Sequence, residues 1–454
     1  MMLDDKQKNA KKQWNGSMPS LQERIASRIP ARRDRAERLV KEYGSEVVDT
    51  VTVSNLYGGN RGVRLMISDI SHVEPYEGIR FRDYTIHDIL STLPKTEGAE
   101  YPLAGGLYYL LLVGEIPTLS DALMVESEWR SRIELPGYVF DVLRSLPKDT
   151  HPMTMFSQAI LSMQRESIFA SKYQSGKLKK SDYWKSILED SLNLTAKLPS
   201  LAAFIYRLKY LDGTFIEPDL DLDWSANFAH MVGKSQDPDY QDYLELCRLY
   251  FLLHADHEGA NASSHTTHLV ASTLSDVYYS CSAGMNALAG PLHGLANQGC
   301  LKWILSLREK FGGVPTKEKL EEYALETLNS GQVIPGYGHA VLRITDPRFS
   351  AQLDFGKKHM YDDELFQLVN EVYEVVPNIL SKIDKVKNPW PNVDAITGTL
   401  QYHYGITGIE IYTVLFGVSR IMGISSSVLW SRILGLPIER PKSITTNLLE
   451  DYVS

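Results

Sequence analysis

The sequence predicts an all-α globular fold with a minor β patch near its N-terminus, and three observations carry that expectation. Apolar residues recur at three- and four-residue spacing through most of the chain. Strand-like alternation is confined to one short, early segment. No period of solenoid length and no low-complexity tract is present.

Taken in order, the residues Leu21 to Tyr43 are highly charged and read as an exposed helix. Residues 47–53 (VVDTVTV) alternate apolar and polar side chains, the pattern of a short strand. YGGNRG at residues 57–62 then supplies a turn. From about Tyr101 onward, helical periodicity dominates. In YLELCRLYFLLH, Leu244, Cys247, Phe251 and His254 share one stripe; in IEIYTVLFGVSRIMG, Ile411, Val414, Leu415, Val418 and Met422 do the same. Pro136, Pro152, Pro199, Pro218, Pro335 and Pro437 mostly fall between such segments, where a missing N–H costs little.

With 454 residues, 43% of them hydrophobic and 23% charged, the chain holds two to three domain-sized units and enough apolar material for a large core. The net charge of -9, from 47 basic and 56 acidic residues, argues against nucleic-acid binding, which needs a basic field. An anionic substrate would need arginines gathered locally against that overall field. Cys247, Cys281 and Cys300 have no ligand spacing and read as buried, reduced thiols rather than a disulfide framework. No apolar run stands out as a membrane span; the best, at residues 107–113, is short. The N-terminal MMLDDKQKNAKKQWNG carries Asp4 and Asp5, unlike a secretory or transit peptide, and the C-terminal DYVS is no peroxisomal address.

Several segments could carry chemistry. HADHEGANASSHTTH contains His254, His257, His265 and His268. Its two HxxH pairs suggest zinc, but no HExxH set is present and His254 lies on an apolar stripe, so hydrogen bonding outweighs metal ligation as a role for most of them. His257, between two acids and before a glycine, could face a site. GPLHGLANQ presents His293 at a glycine turn leading into the amphipathic residues 301–308; a helix-capping histidine fits that setting equally well. In VIPGYGHAVLRITDPRF, Pro335, Gly336 and Gly338 shape a tight loop presenting His339, with Arg343 and Arg348 nearby. That suits a phosphate or carboxylate without being a P-loop. PNVDAITG sets Asp394 after Pro391, downstream of Lys385 and Lys387, in a place that also suits a helix N-cap. Arg420 lies inside an apolar helix and must meet an anion if buried; Arg440, in LPIERPKS, could be a solvated surface residue.

GPLHGLANQ, VIPGYGHAVLRITDPRF, KNPWPNVDA, and YTVLFGVSRIMG followed by LPIERPKS resemble the landmarks of citrate synthases, the eukaryotic mitochondrial type more than the shorter bacterial type. YGGNRG, EGIRFRDYTI, AKLPSLAAFIYR and DHEGANASSHTTHLV extend the resemblance from about residue 20 to the end. It implies a two-domain, all-α fold: a large helical domain over residues 1–294 and 405–454, interrupted by a smaller mobile domain over 295–404. It further implies a homodimer with shared active sites, which the many apolar helical stripes also suggest. The implied activity condenses acetyl-CoA with oxaloacetate and hydrolyses citryl-CoA to citrate and CoA. No metal or redox cofactor is implied, acetyl-CoA being a substrate.

Position by position, the resemblance implies His293, His339 and Asp394 as the catalytic trio. His257, His339, Arg348, Arg420 and Arg440 match oxaloacetate ligands. Arg61, Arg343, Lys385 and Lys387, with the loop Val333, Pro335, Gly336, Tyr337 and Gly338, match positions that hold coenzyme A. Two departures stand out. Ser171, followed by Lys172, occupies a place where some relatives have a CoA-contacting arginine, and Ile396-Thr397 follow Asp394-Ala395 where relatives often have His-Ser.

These residue types suit the reaction. A thioester methyl is so weakly acidic that a carboxylate removes its proton only when a donor stabilises the enolate oxygen. A dicarboxylate calls for guanidinium groups, which bind carboxylates bidentately. A propionyl-CoA-using 2-methylcitrate synthase is the nearest rival, since one methylene discriminates weakly. A catalytically dead helical dimer and a zinc hydrolase on the HxxH pairs are the others. The acidic start favours a bacterial cytosol, with the mitochondrial matrix as the alternative.

Overall fold

The computed structural model describes residues 19–454, so the N-terminal MMLDDKQKNAKKQWNG, with Asp4 and Asp5, lies outside the described residues. Helix α1 (Leu21–Tyr43) opens on a capping box: Ser20 Oγ accepts from the Glu23 amide, and the Glu23 carboxylate accepts from the Ser20 amide. Its buried residues, Leu21, Ile25 and Ile29, repeat every four positions, and the second half is mostly exposed.

The strand expected at residues 47–53 does not form. Residues 46–52 have no regular structure and α2 (Val53–Tyr57) begins on Thr52. An alternating segment becomes a strand only when a neighbour satisfies its backbone, and none of the described strands pairs with it. Val47 and Val48 are accordingly 78% and 72% exposed. The β patch lies later, as an antiparallel meander of β1 (Ser71–Glu74), β2 (Gly78–Phe81) and β3 (Tyr84–Thr85). The register pairs Ser71 with Phe81 and Val73 with Ile79, and all four are buried.

The rest is helical: α3 (Ile86–Thr92), α4 (Ala104–Val113), α5 (Leu119–Arg130), α6 (Gly137–Ser145), α7 (Pro152–Ser162), α8 (Ile168–Gln174), α9 (Tyr183–Tyr210), α10 (Trp224–Met231), α11 (Tyr240–Leu253), α12 (Ala262–Ser272) and α13 (Val277–Leu288). Then follow α14 (Ala296–Phe311), α15 (Lys317–Asn329), α16 (Pro347–His359), α17 (Glu364–Leu380), α18 (Asp394–His403), α19 (Tyr412–Leu434) and α20 (Thr446–Val453). Of the six prolines named above, Pro152 opens α7, where no N–H is needed, and only Pro199 sits in a helix interior, that of α9. Packing of α9 along α19 outweighs the roughly 3 kcal/mol such a proline costs.

Helix α19 is the hub. It packs against α4, α9, α11, α12 and α13. Val414, Leu415, Val418, Ile421 and Met422 are fully buried, each contributing about 1.5–3 kcal/mol of apolar transfer. By length and composition Ile409–Leu434 could cross a membrane, contrary to the expectation of no such run. Here 89% of its most apolar stretch is buried within the protein, as in a core helix. Its glycine at 423 permits a close approach. The Gly423 amide donates to Ala255 O at 3.1 Å, and a Cβ there would lie 2.5 Å from that oxygen. The segment after α11, which carries His257, is thereby pressed against the middle of α19. Helices α14 to α18 pack chiefly on one another and meet the remainder through α11, α3 and α19. His339 and Asp394 belong to that block; His257, His293 and Arg420 do not.

Candidate active site

Asp394 is the first residue of α18, and Asn392, rather than Asp394, caps it: Asn392 Oδ1 accepts the Asp394 amide at 3.0 Å. The N-cap reading of Asp394 therefore does not hold, which leaves its carboxylate for the site. Burial pushes that carboxyl up to about 6; Arg348 opposes this, Asp346 adds to it, and Arg420 opposes it. The Pro335–His339 loop is stitched to the segment leading into α18. The Gly338 amide donates to Trp390 O (3.0 Å), the Asn392 amide to Gly336 O (2.8 Å), and Asn392 Nδ2 to Gly338 O (3.1 Å). Gly336 has φ 80°, and a Cβ would sit 2.7 Å from Cys300 Sγ and 2.8 Å from Ala395 Cα. Only glycine fits, and it locks the loop against the start of α18.

The hydrogen bonds also fix the tautomers. His339 Nδ1 accepts from the amides of Val341 and Leu342, both at 3.0 Å, so a neutral ring carries its proton on Nε2. His293 Nε2 lies 3.2 Å from the Ser263 amide, which can only donate, and 3.0 Å from Ser263 Oγ; its proton is therefore on Nδ1. His293 does cap a helix, but the helix is α12 and the ring still offers an N–H. Burial pulls both imidazoles down to about 4, with help from Arg348 at His339 and from Arg420 at His293. The His257 ring lies 5.4 Å from that of His339, and burial, then Arg348, holds it well below its ordinary value. Glu258, at φ 52°, turns the chain sharply after it, and its amide donates to Ser71 Oγ at 2.7 Å. All three imidazoles are neutral near pH 7.

Arg348 and Arg420 are 3% and 1% exposed. Arg348 forks onto Asp346, with Nη2–Oδ2 at 2.7 Å and Nε–Oδ1 at 3.1 Å. Arg420 reaches only neutral acceptors: His254 O at 3.4 Å and, from Nη1, Asn261 Oδ1 and Ser263 Oγ at 3.3 Å. It also stands 4.7 Å from the Phe416 ring centroid. None of the ion pairs among the described residues includes it. Burial pulls its pKa down to about 10, and Asp256 counters only part of that. A buried guanidinium without a bonded carboxylate can pair with an incoming anion.

Beside His339 lies a cavity of about 370 Å³, lined among others by Val333, Tyr337, Gly338, Lys385 and Lys387. Pro335 and Gly336 do not line it. Arg343 folds back, its Nη1 donating to Val341 O and Leu342 O at 2.7 Å. Arg61 sits on the exposed turn after α2, and Ser171 and Lys172 on the exposed side of α8; none of the three lines this cavity. Arg440 is exposed on the segment after α19 and makes no hydrogen bond to His257, Arg348 or Arg420. Ile396 and Thr397 are buried in α18. Several supporting residues escaped sequence reasoning. Asp346 carries an N-cap signal, standing before the Pro347 that opens α16. Ser263 holds both His293 and Arg420, and Asn261, the N-cap of α12, also accepts from Arg420; nothing in the sequence marks a serine for that duty. His254 is buried and stacks on Tyr250, and among the described residues no three His, Cys, Asp or Glu side chains gather as metal ligands.

The family described as "Citrate synthase, C-terminal domain" matches residues 59–442. A protein of Glossina morsitans morsitans named probable citrate synthase, mitochondrial, is 50% identical over 437 residues, covering 96% of this chain and 92% of that one. The mitochondrial citrate synthase of Xiphias gladius is 47% identical over 440 residues, covering 97% and 93%. Among solved structures, citrate synthase from Pyrobaculum aerophilum superposes with a TM-score of 0.73 at 26% identity, covering 88% of this chain and 95% of that one. That of Thermoplasma acidophilum, solved with carboxymethyl coenzyme A and oxaloacetate, gives 0.70 at 20% identity, covering 87% and 97%; at that identity it shows the fold alone. Helical fold, ordered motifs and relatives agree: the chain belongs to the citrate synthase family.

Proposed function

We propose that this protein condenses acetyl-CoA with oxaloacetate and hydrolyses the resulting citryl-CoA to citrate and CoA. The observation that carries the reading is Arg420, buried beside Arg348 with no carboxylate of its own, next to two imidazoles whose N–H groups are fixed by backbone donors. Oxaloacetate supplies the carboxylate that Arg420 lacks, and its two carboxylates are met by Arg348, Arg420 and His257, and by Arg440 from a second subunit. Asp394 removes a methyl proton from acetyl-CoA while His293 Nδ1–H stabilises the thioester oxygen. The enol carbon attacks the oxaloacetate ketone, and His339 Nε2–H protonates the oxygen as the C–C bond forms. Coenzyme A lies along the cavity beside Lys385 and Lys387, with Arg343 and Arg61 added once the site closes. No metal or redox group enters these steps.

Residues 295–404 act as a small domain that closes on the rest once oxaloacetate binds, excluding water until hydrolysis. The tight packing of α14 to α18 on one another supports that division. The exposed Val47, Val48, Ile438, Leu448 and Tyr452 of the two terminal segments support burial in a homodimer. The relatives' names support the mitochondrial matrix over a bacterial cytosol.

Asp394→Asn is expected to lower kcat by roughly 10²–10⁴-fold with oxaloacetate affinity retained. It should also stop exchange of acetyl methyl protons with solvent when an inert oxaloacetate analogue is bound. Near-normal exchange removes Asp394 as the base. Because the base works ionised and its carboxyl sits near 6, kcat/KM for acetyl-CoA should fall about tenfold per pH unit below that value. His293 and His339, near 4, remain neutral throughout. A profile flat down to pH 5 contradicts the assignment. Finally, co-expressed Arg440→Ala and Asp394→Ala subunits should recover up to about half of wild-type activity per mixed dimer, since one site regains both residues. No recovery places Arg440 in its own subunit's site.

A further inference from the structure

The second HxxH pair takes no part in the chemistry above, yet it is fully engaged. His265 and His268 lie one turn apart on α12 and share a face. The Glu439 carboxylate bridges them, with Oε1 2.7 Å from His265 Nε2 and Oε2 3.2 Å from His268 Nδ1. A carboxylate only accepts, so each imidazole donates. One turn further along, Ser272 Oγ accepts the Glu439 amide at 3.0 Å. Desolvation acts to raise the Glu439 carboxyl, but the bonds from His265 and His268 outweigh it and hold it below its ordinary value. Three contacts thus fasten one residue of an otherwise extended and exposed segment, residues 435–445, to one helix.

The fastened residue directly precedes Arg440, and α12 is also the helix whose first turn holds His293 and Arg420 through Ser263. One rod therefore fixes two residues of this subunit's site at its N-terminal end. Further along, it fixes the point from which Arg440 departs. An arginine on a free, exposed segment samples a wide volume and loses that freedom on binding a ligand; anchoring its neighbour removes part of the loss beforehand.

We propose that Glu439, clamped by His265 and His268, is a positioning residue that aims Arg440 into the oxaloacetate site of a second copy of the chain. This rests on Arg440 being an oxaloacetate ligand.

The test is steady-state kinetics on the full-length protein with Glu439→Ala, Arg440→Met and the double variant. Glu439→Ala should raise KM for oxaloacetate about tenfold, with KM for acetyl-CoA, subunit assembly and Tm close to wild type. Glu439→Gln, whose side-chain oxygen still accepts from an imidazole, should restore much of the loss. The double variant should be no worse than Arg440→Met alone, because no guanidinium remains to aim. If Glu439→Ala fails to assemble, His265→Asn and His268→Asn carry the same comparison, each opening one arm of the clamp. A KM for oxaloacetate unchanged in Glu439→Ala but raised in Arg440→Met overturns the clamp alone, as do fully additive losses in the double variant. A KM unchanged in Arg440→Met overturns the ligand role of Arg440 and the clamp's purpose with it.

Discussion

Arg420 lies in the middle of the long, largely buried helix α19, and only three neutral oxygens accept its hydrogen bonds. Burial pulls its pKa down to about 10, a cost set against the stability that the apolar residues of α19 supply. Arg82 and Arg432 are buried on backbone carbonyls as well, so what sets Arg420 apart is that it shares Ser263 with His293. Much of the surrounding structure then follows. Asn261 and Ser263 are placed to orient the guanidinium, and Ser263 is also the group that fixes the His293 tautomer. Asp346 satisfies Arg348, so that the pair of guanidiniums exceeds its directly bonded countercharge by one.

The same burial sets the proton chemistry. Asp394 shares this enclosed space, so its carboxyl rises towards the range where a base works at neutral pH, while His293 and His339 fall and stay neutral donors. One cause, burial, moves a carboxyl and two imidazoles in opposite directions. Their relative placement depends on short-range features, above all Gly336 against Ala395 and Asn392 bonded across to Gly336 and Gly338. The site's residues come from both α14–α18 and the remaining helices, so their spacing depends on how those two groups of helices pack.

How much of this could be read beforehand depended on whether the physics was local. The helices on apolar stripes were legible, because a 3.6-residue period and the burial of one face are properties of a segment. Residues 47–53 misled because strand formation needs a partner, and the chain finds its β pairing instead in the EGIRF segment. Asp394 looked like an N-cap, and only the structure reveals Asn392 in that role. Arg420 was legible as a charge in an apolar helix. What it would touch was not, since Asn261 and Ser263 lie some 160 residues away in sequence. The HTTH pair suggested a metal because two histidines at that spacing share a face; the third group proved to be Glu439, a hydrogen-bond acceptor from a distant segment.

The central claim is that a buried, unpaired guanidinium is held for a dicarboxylate. Thermal unfolding of wild type and Arg420→Met, each with and without saturating oxaloacetate, tests it most directly. Wild type should gain several degrees in Tm on adding oxaloacetate. The ligand-free variant should unfold at or above the wild-type temperature, since an apolar side chain of similar length removes the burial cost, and oxaloacetate should then shift it little. A ligand-free variant that loses several degrees yet keeps the full oxaloacetate-induced rise would show that Arg420 serves the fold and not the substrate.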